Sequence, residues 1–188
     1  MSRNKVILTA TVGVLVMLIL AAWSPWDTLR YSGDGKLSDQ GFLSYPRYRI
    51  TLSDIPLNQS SENHFRFRHL PSDEMSLVLG VRNRRIESVA DRAPLERLPV
   101  TIEALLADEK GQISCRASGR PGSFNEDANW VLTSGAGVDA SYWHHACIFF
   151  KIHSNRTYDL TIRVTDVGPG MEKVVVIPEL TGGGQELP

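Results

Sequence analysis

The sequence lacks a charge excess and most of the short motifs that identify a function directly. Its formal net charge at pH 7 is −1, whereas a nucleic-acid-binding protein usually shows a clear basic excess. It contains no G-x-S-x-G, no H-E-x-x-H, no phosphate-binding glycine loop and no dinucleotide-binding fingerprint. It also has no internal repeat. We therefore expect no nucleic-acid partner, no cofactor and no catalytic residues.

Long uncharged runs are scarce as well, with one exception at the N-terminus. Residues 6–23, VILTATVGVLVMLILAAW, carry no charge and follow Arg3 and Lys5. At a rise of about 1.5 Å per residue, a helix of this length can span a bilayer. Trp23 suits the membrane interface, where indole rings collect. Because the basic residues precede the span, we expect residues 1–5 in the cytoplasm and the remaining chain outside it.

The alternative for residues 6–23 is a cleaved signal peptide. Cleavage requires small side chains one and three residues before the cut, and cutting after Ala22 places Leu20 at the outer position. The apolar run is also longer than the usual signal-peptide core. We therefore expect a single-pass signal anchor, with the domain in the periplasm or the extracellular space. Cleavage would release the same domain as a secreted protein.

The remaining chain divides into a linker, a domain and a tail. Residues 24–46 combine glycine and proline with little apolar periodicity, which is typical of a linker. From residue 47 to residue 178, eight or nine segments alternate apolar and polar side chains, and turn-forming residues separate them. This pattern predicts an all-β fold, an antiparallel β-sandwich of jelly-roll or Ig-like type, after one N-terminal transmembrane helix. Residues 179–188 should be disordered.

The two cysteines, Cys115 and Cys147, both lie in the exported part. In an oxidising compartment an isolated pair usually forms a disulfide, and we expect one here. The alternatives are free thiols or a metal site. His145 and Cys147 would lie about 6.6 Å apart on one strand face and could offer two ligands to zinc or copper. Such a site needs further ligands, so we expect no metal.

The segment SYWHHACIFFKIH, residues 141–153, is rich in chemically versatile side chains. Strand alternation predicts Ile148, Phe150 and Ile152 on a core face, with His145 and Cys147 on the opposite face.

Triad residue types also occur here, at Asp139, Ser141 and either His144 or His145. Residues so close along one strand seldom converge on a substrate, so we do not expect catalysis.

Two groups of residues are candidates for ligand binding. Trp130, Tyr142 and Trp143 flank a glycine-rich segment at 134–141, where aromatic rings could stack on sugars if they are not buried. His145 is the polar neighbour of this group.

The second group is basic and consists of Arg47, Arg49, Arg66 and Arg68, with His64 beside them. If the first two strands pair, these side chains share one face and could bind carboxylate or phosphate groups. The alternative is a solvated face balanced by nearby acids.

These observations predict a membrane-tethered, extracytoplasmic β-sandwich. We expect a non-catalytic role: binding an envelope protein or a glycan, or serving as an accessory subunit near the membrane. The alternative is an exported hydrolase built on the same scaffold.

Overall fold

The computed structural model describes residues 30–39, 48–71, 74–83, 98–120, 131–134 and 141–183. Within these ranges we find no helix with the length and hydrophobicity that crossing a membrane requires. The predicted span at residues 6–23 lies outside them.

The described residues form twelve strands. In chain order they are β1 (Ser32–Gly33), β2 (Lys36–Asp39), β3 (Tyr48–Thr51), β4 (Ile55–Pro56), β5 (Ser61–Arg68), β6 (Glu74–Asn83), β7 (Thr101–Asp108), β8 (Ile113–Gly119), β9 (Val131–Ser134), β10 (Ser141–Lys151), β11 (Thr157–Thr165) and β12 (Val174–Gly182).

The strands form two sheets, and the described pairings are antiparallel. The five-stranded sheet has the order β1-β5-β11-β7-β8. The seven-stranded sheet has the order β2-β3-β12-β6-β10-β9, and β4 pairs with β12 beside this path. The all-β, antiparallel, sandwich-like architecture predicted from the alternation is confirmed.

The core lies between the two sheets and is built from alternate residues of the long strands. On β11, Leu160 is fully buried and pairs with Phe65 on one side and Leu106 on the other. The facing sheet contributes Leu77 and Leu180, which are also paired and fully buried. The alternating burial of β5, β7 and β11 is the pattern that a half-buried antiparallel sheet requires.

One side of the sandwich is closed by the short strands β1 and β2. β1 belongs to the five-stranded sheet and β2 to the seven-stranded sheet, so the two residues between them cross from one layer to the other. Asp34 accepts a hydrogen bond from the backbone N–H of Arg66 at 2.7 Å. Gly35 has φ of +91°, and a Cβ there would lie 2.7 Å from Cδ2 of Leu52. Only glycine fits this crossing without displacing the core.

These strands lie within the segment for which the sequence predicts a linker, residues 24–46. Similarly, β12 continues to Gly182, into the segment for which the sequence predicts a disordered tail. The strands β1 and β2 and the last residues of β12 are short stretches at the margins of the domain. They form strands because they pair with neighbouring strands, although their own sequence pattern does not indicate a strand.

The other side of the sandwich is joined by the disulfide between Cys115 and Cys147, whose Cα atoms are 5.8 Å apart. Cys115 lies on β8 of the five-stranded sheet and Cys147 on β10 of the seven-stranded sheet. The predicted disulfide is therefore confirmed, and it connects the two layers covalently.

Candidate functional site

The strand β10 contains an extra residue between His145 and Cys147, the two residues predicted to share one face of the strand. His145 pairs with Val78, and Cys147 pairs with Leu77, the next residue of β6, so Ala146 is inserted. One inserted residue reverses the face of the side chains that follow it. Cys147 therefore joins the core cluster with Leu77, while His145 stays on the other face. The prediction that His145 and Cys147 share a face is wrong.

A metal site at this pair has no support within the described residues, since they contain no group of three His, Cys, Asp or Glu side chains able to hold an ion.

A second irregularity of β10 lies between Cys147 and Phe150. Phe150 pairs with Met75, so β10 uses three residues where β6 uses two. Phe149 adopts φ of +51°, and its backbone N–H donates a hydrogen bond to Oγ of Ser76 at 3.0 Å. Ile148 is 38% exposed and does not fill the core, contrary to the prediction. Phe150 is buried, as predicted, and so is Ile152.

His145 lies on the outer face of the seven-stranded sheet and is only 1% exposed. Neither ring nitrogen has a hydrogen-bond partner among the described residues. Burial lowers the pKa of His145, because the charged imidazolium loses its hydration. The buried carboxylate of Glu179 lies in the same cross-strand row, with Val78 between them. Two strand spacings, about 9–10 Å, separate it from His145.

The burial of His145 predicts a pH-dependent stability. The folded state disfavours the protonated ring, whereas the unfolded chain titrates near the ordinary pKa of about 6.5. The free energy of unfolding should therefore fall as the pH drops below about 6.5, by at most about 1.4 kcal/mol per pH unit from this group. Urea midpoints of the full chain between pH 7.5 and pH 5 measure this loss.

His145→Leu should remove that part of the pH dependence, whereas His153→Gln, at an exposed position of the same segment, should retain it. An unchanged pH profile in His145→Leu would show that another group titrates.

Ser141 and His145, two of the triad residue types noted above, are not within hydrogen-bonding distance of each other. Ser141 and His145 lie four residues apart on the regular part of β10, about 13 Å along the strand. This exceeds the reach of a nucleophile–base hydrogen bond. Asp139 lies outside the described residues.

The aromatic candidates are described only in part. Tyr142 and Trp143 lie on β10 opposite Val81 and Gly80 of β6. Trp130 lies outside the described residues, so the sugar-binding platform stays a prediction.

The basic candidates separate into two groups. β3 lies in the seven-stranded sheet and β5 in the five-stranded sheet, so the assumption that the first two strands pair is wrong. Arg49 forms an ion pair with Glu179 of β12, with 3.5 Å between Nε and Oε2. Arg66 and Arg68 remain together on β5, with His64 on the same side. Arg47 lies outside the described residues.

The outward side chains of β5, β11, β7 and β8 form a continuous exposed surface, which we call the polar face. Backbone register places residues of all four strands side by side across it. Its exposed charged residues are Glu62, His64, Arg66, Arg68, Glu103, Arg116, Asp159 and Arg163.

Part of the polar face is fixed by ion pairs. Arg163 binds Glu62 through two nitrogen–oxygen contacts of 2.8 and 3.4 Å. Hydrogen bonding from Arg163 lowers the pKa of Glu62. His64 lies between Glu62 Oε1 at 3.2 Å and the hydroxyl of Thr161 at 3.2 Å. Arg66 Nε is 3.4 Å from Asp159.

Two other guanidinium groups, those of Arg68 and Arg116, have no ion-pair partner within the described residues. Arg116 borders a depression of about 330 Å³. Arg68 borders a second one of about 420 Å³ that reaches the β1 strand.

The first depression offers both charge signs and neutral polar groups to a ligand. Its wall includes the guanidinium of Arg116, the carboxylate of Glu103, and the hydroxyls of Ser118 and Thr161. Sequence reasoning did not single out these residues. Alternation indicates that each points outward, but only the strand order, with β8 beside β7 and β7 beside β11, brings them together.

This arrangement is suited to recognising a polar partner by hydrogen bonds and charge, since the exposed guanidinium groups of Arg68 and Arg116 can bind carboxylate or phosphate groups in a bidentate manner. No protein-family model matches the chain, and the comparison with curated proteins likewise returned no match.

Proposed function

We propose that this chain is a membrane-tethered, extracytoplasmic binding module that recognises an envelope protein or a glycan without transforming it. The observation that carries the proposal is the polar face, where the exposed guanidinium groups of Arg68 and Arg116 border two depressions. A predicted signal anchor at residues 6–23 supports the tether and the orientation.

The outer faces of the two sheets differ in exposure, and this difference favours the polar face as the binding surface. On the outer side of the seven-stranded sheet, Val78, Val175 and Ile177 are each at most 6% exposed. On the polar face the charged side chains are exposed. A surface whose charged side chains are exposed is suited to a polar partner.

The ion pairs of the polar face support binding indirectly. Glu62, His64 and Arg163 hold one another and the neighbouring strands in a fixed arrangement. A fixed surface loses less conformational freedom on association. Arg68 and Arg116 then provide the donors that a partner's anionic groups can occupy.

The test is capture of a partner from membranes by the full chain. Each charge-assisted hydrogen bond contributes about 1.5–3 kcal/mol, which corresponds to about tenfold or more in affinity. The double variant Arg68→Ala/Arg116→Ala should therefore retain less than about one-tenth of the captured partner. Quantitative mass spectrometry of proteins and of released glycans measures this.

The matched control is Lys36→Ala/Lys173→Ala, which removes two exposed positive charges elsewhere on the domain. It should capture the partner as the unmodified chain does. Equal capture by the Arg68→Ala/Arg116→Ala variant, or equal loss in the control, would contradict the role of the polar face. Turnover of any glycan or peptide in a substrate panel would instead favour a hydrolase.

A further inference from the structure

Three large apolar side chains are exposed among the described residues: Ile113, Ile148 and Phe149, at 47%, 38% and 44%. We call them the apolar end patch. Ile113 precedes Cys115 by two residues, while Ile148 and Phe149 directly follow Cys147. Because the disulfide holds the two cysteines together, the three side chains flank it on the edge that joins the two sheets.

The backbone at Phe149 is arranged so that two neighbouring apolar side chains face outward. In a regular strand successive side chains point to opposite faces, and one of the two would enter the core. Here Phe149 takes a left-handed conformation, with φ of +51°. The buried hydroxyl of Ser76 accepts its N–H. A bulky residue held in this conformation is a strained feature of the kind found at functional surfaces.

The patch lies at the end of the sandwich where the chain joins it from the N-terminal side. The strand β1 starts at Ser32, opposite Arg68, the last residue of β5. The strand β10 ends at Lys151, opposite Glu74, the first residue of β6. Since β6 begins six residues after β5 ends, both points lie at the same end.

The β7–β8 hairpin lies there too. Its residue Glu109 donates a backbone hydrogen bond to the carbonyl of Thr157 at 3.0 Å, and Thr157 pairs with Arg68. Ile113, at the start of β8, therefore shares this end with Phe149.

We propose that the apolar end patch docks onto the lipid bilayer, with Ile148 and Phe149 in the interfacial layer. The inference rests on the proposed membrane tether. The predicted span ends at residue 23, seven residues before Arg30. A fully extended link of this length reaches at most about 25 Å. The tether thus enters at the same end of the sandwich as the patch, and it holds that end within this distance of the bilayer surface.

The charged residues at this end are compatible with a lipid surface, but they contribute less to the docking than the apolar side chains do. Arg30, Lys110 and Lys151 are exposed, and such cations are attracted to anionic headgroups. Glu74 and Glu109 lie close to two of them and offset part of this attraction. The apolar side chains therefore provide most of the docking, as they do in interfacial anchors.

A bilayer fits this patch better than a protein partner does. Stable protein interfaces bury about 800 Å² on each partner, which is far more than three partly exposed side chains offer. A tethered domain needs only a small anchor, because the tether already raises the local concentration of membrane. Docking would fix the orientation of the domain, with Arg68 at the end next to the bilayer and Arg116 farther along the polar face.

The test introduces the photocrosslinking residue p-benzoylphenylalanine at position 149 of the full chain in its own membranes. Position 148 serves as a second probe in case the substitution at Phe149 disturbs folding. The control position is Lys173, which is exposed just before β12, at the opposite end of the sandwich. A non-reducing mass measurement that finds the disulfide intact verifies the fold of each variant.

Lipid adducts at 148 or 149 should exceed those at 173 at least tenfold. In variants whose disulfide is intact, adducts to a protein, or yields at both 148 and 149 equal to those at 173, would overturn the docking proposal. A carbonate wash tests the tether separately: a chain that stays in the membrane without lipid adducts retains the tether and loses the docking. A chain removed by carbonate loses the tether, and lipid adducts at 149 would then still support the docking.

Discussion

Replacing Cys115 and Cys147 together by alanine should lower the free energy of unfolding by about 3–4 kcal/mol. The disulfide joins residues 32 positions apart and therefore removes a large part of the conformational freedom of the unfolded chain. It also connects β8 and β10, which lie in different sheets and share no backbone pairing in the described topology. Without it, packing of the core side chains is what holds the two layers together on this side among the described residues.

Urea unfolding of the detergent-solubilised full chain, followed by tryptophan fluorescence, measures this loss. The unmodified chain with a reductant should unfold at nearly the same urea concentration as the double variant. Non-reducing mass spectrometry of the native chain should give a mass about 2 Da below the dithiol form, because two hydrogens are lost when the bond forms. A loss below about 1 kcal/mol would show that the disulfide adds little to the stability.

Hydrophobic alternation was sufficient to predict the layered core. In residues 64–68 of β5 and throughout β11, apolar and polar residues alternate strictly, so only one register buries the apolar set. Phe65, Phe67, Leu160 and Ile162 are buried accordingly. Where one face of a strand is apolar and the other is polar or charged, the sequence determines which side chains point into the core. Knowledge of the neighbouring strands is not needed.

The alternation failed along β10 because both of its faces are apolar. In the run from Ala146 to Phe150, either parity places apolar side chains inward, so an inserted residue leaves no trace in the pattern. In the structure, bulges on both sides of Cys147 determine which of these side chains point into the core. The cysteine thereby reaches the core and its partner Cys115, and Ile148 is displaced to the surface. The position of a bulge depends on contacts between the sheets, which a local pattern does not contain.

The order of the strands in the sheets was the second feature that could not be predicted from the sequence. Neighbours in sequence need not be neighbours in a sandwich, because the chain passes between its layers several times. Arg49 lies on β3 and Arg66 on β5, with only the two-residue strand β4 between them in the chain, yet the two strands belong to different sheets. Conversely, Arg116 and Arg163 come from distant segments and line the same depression. The candidate site could therefore be predicted only as a set of outward charges, without their grouping.

Phe67→Ala should lower the free energy of unfolding by about 3–5 kcal/mol, the usual cost of emptying a buried phenylalanine site. Phe67 is fully buried between the sheets and belongs to the core cluster. Its strand, β5, pairs with β1 at this residue, so collapse of the cavity would also displace the crossing that closes this side of the sandwich.

The matched control is the same substitution at Phe149, which is 44% exposed. Phe149→Ala should change the free energy of unfolding by no more than about 0.5 kcal/mol, as is usual for surface positions. Both variants are compared by urea unfolding of the full chain in detergent. Equal destabilisation of the two would show that Phe149 packs against the domain, and would remove the basis for its proposed contact with lipid. A large loss at Phe67 with a small one at Phe149 would show that the second ring adds little to folding, as its proposed contact with lipid requires.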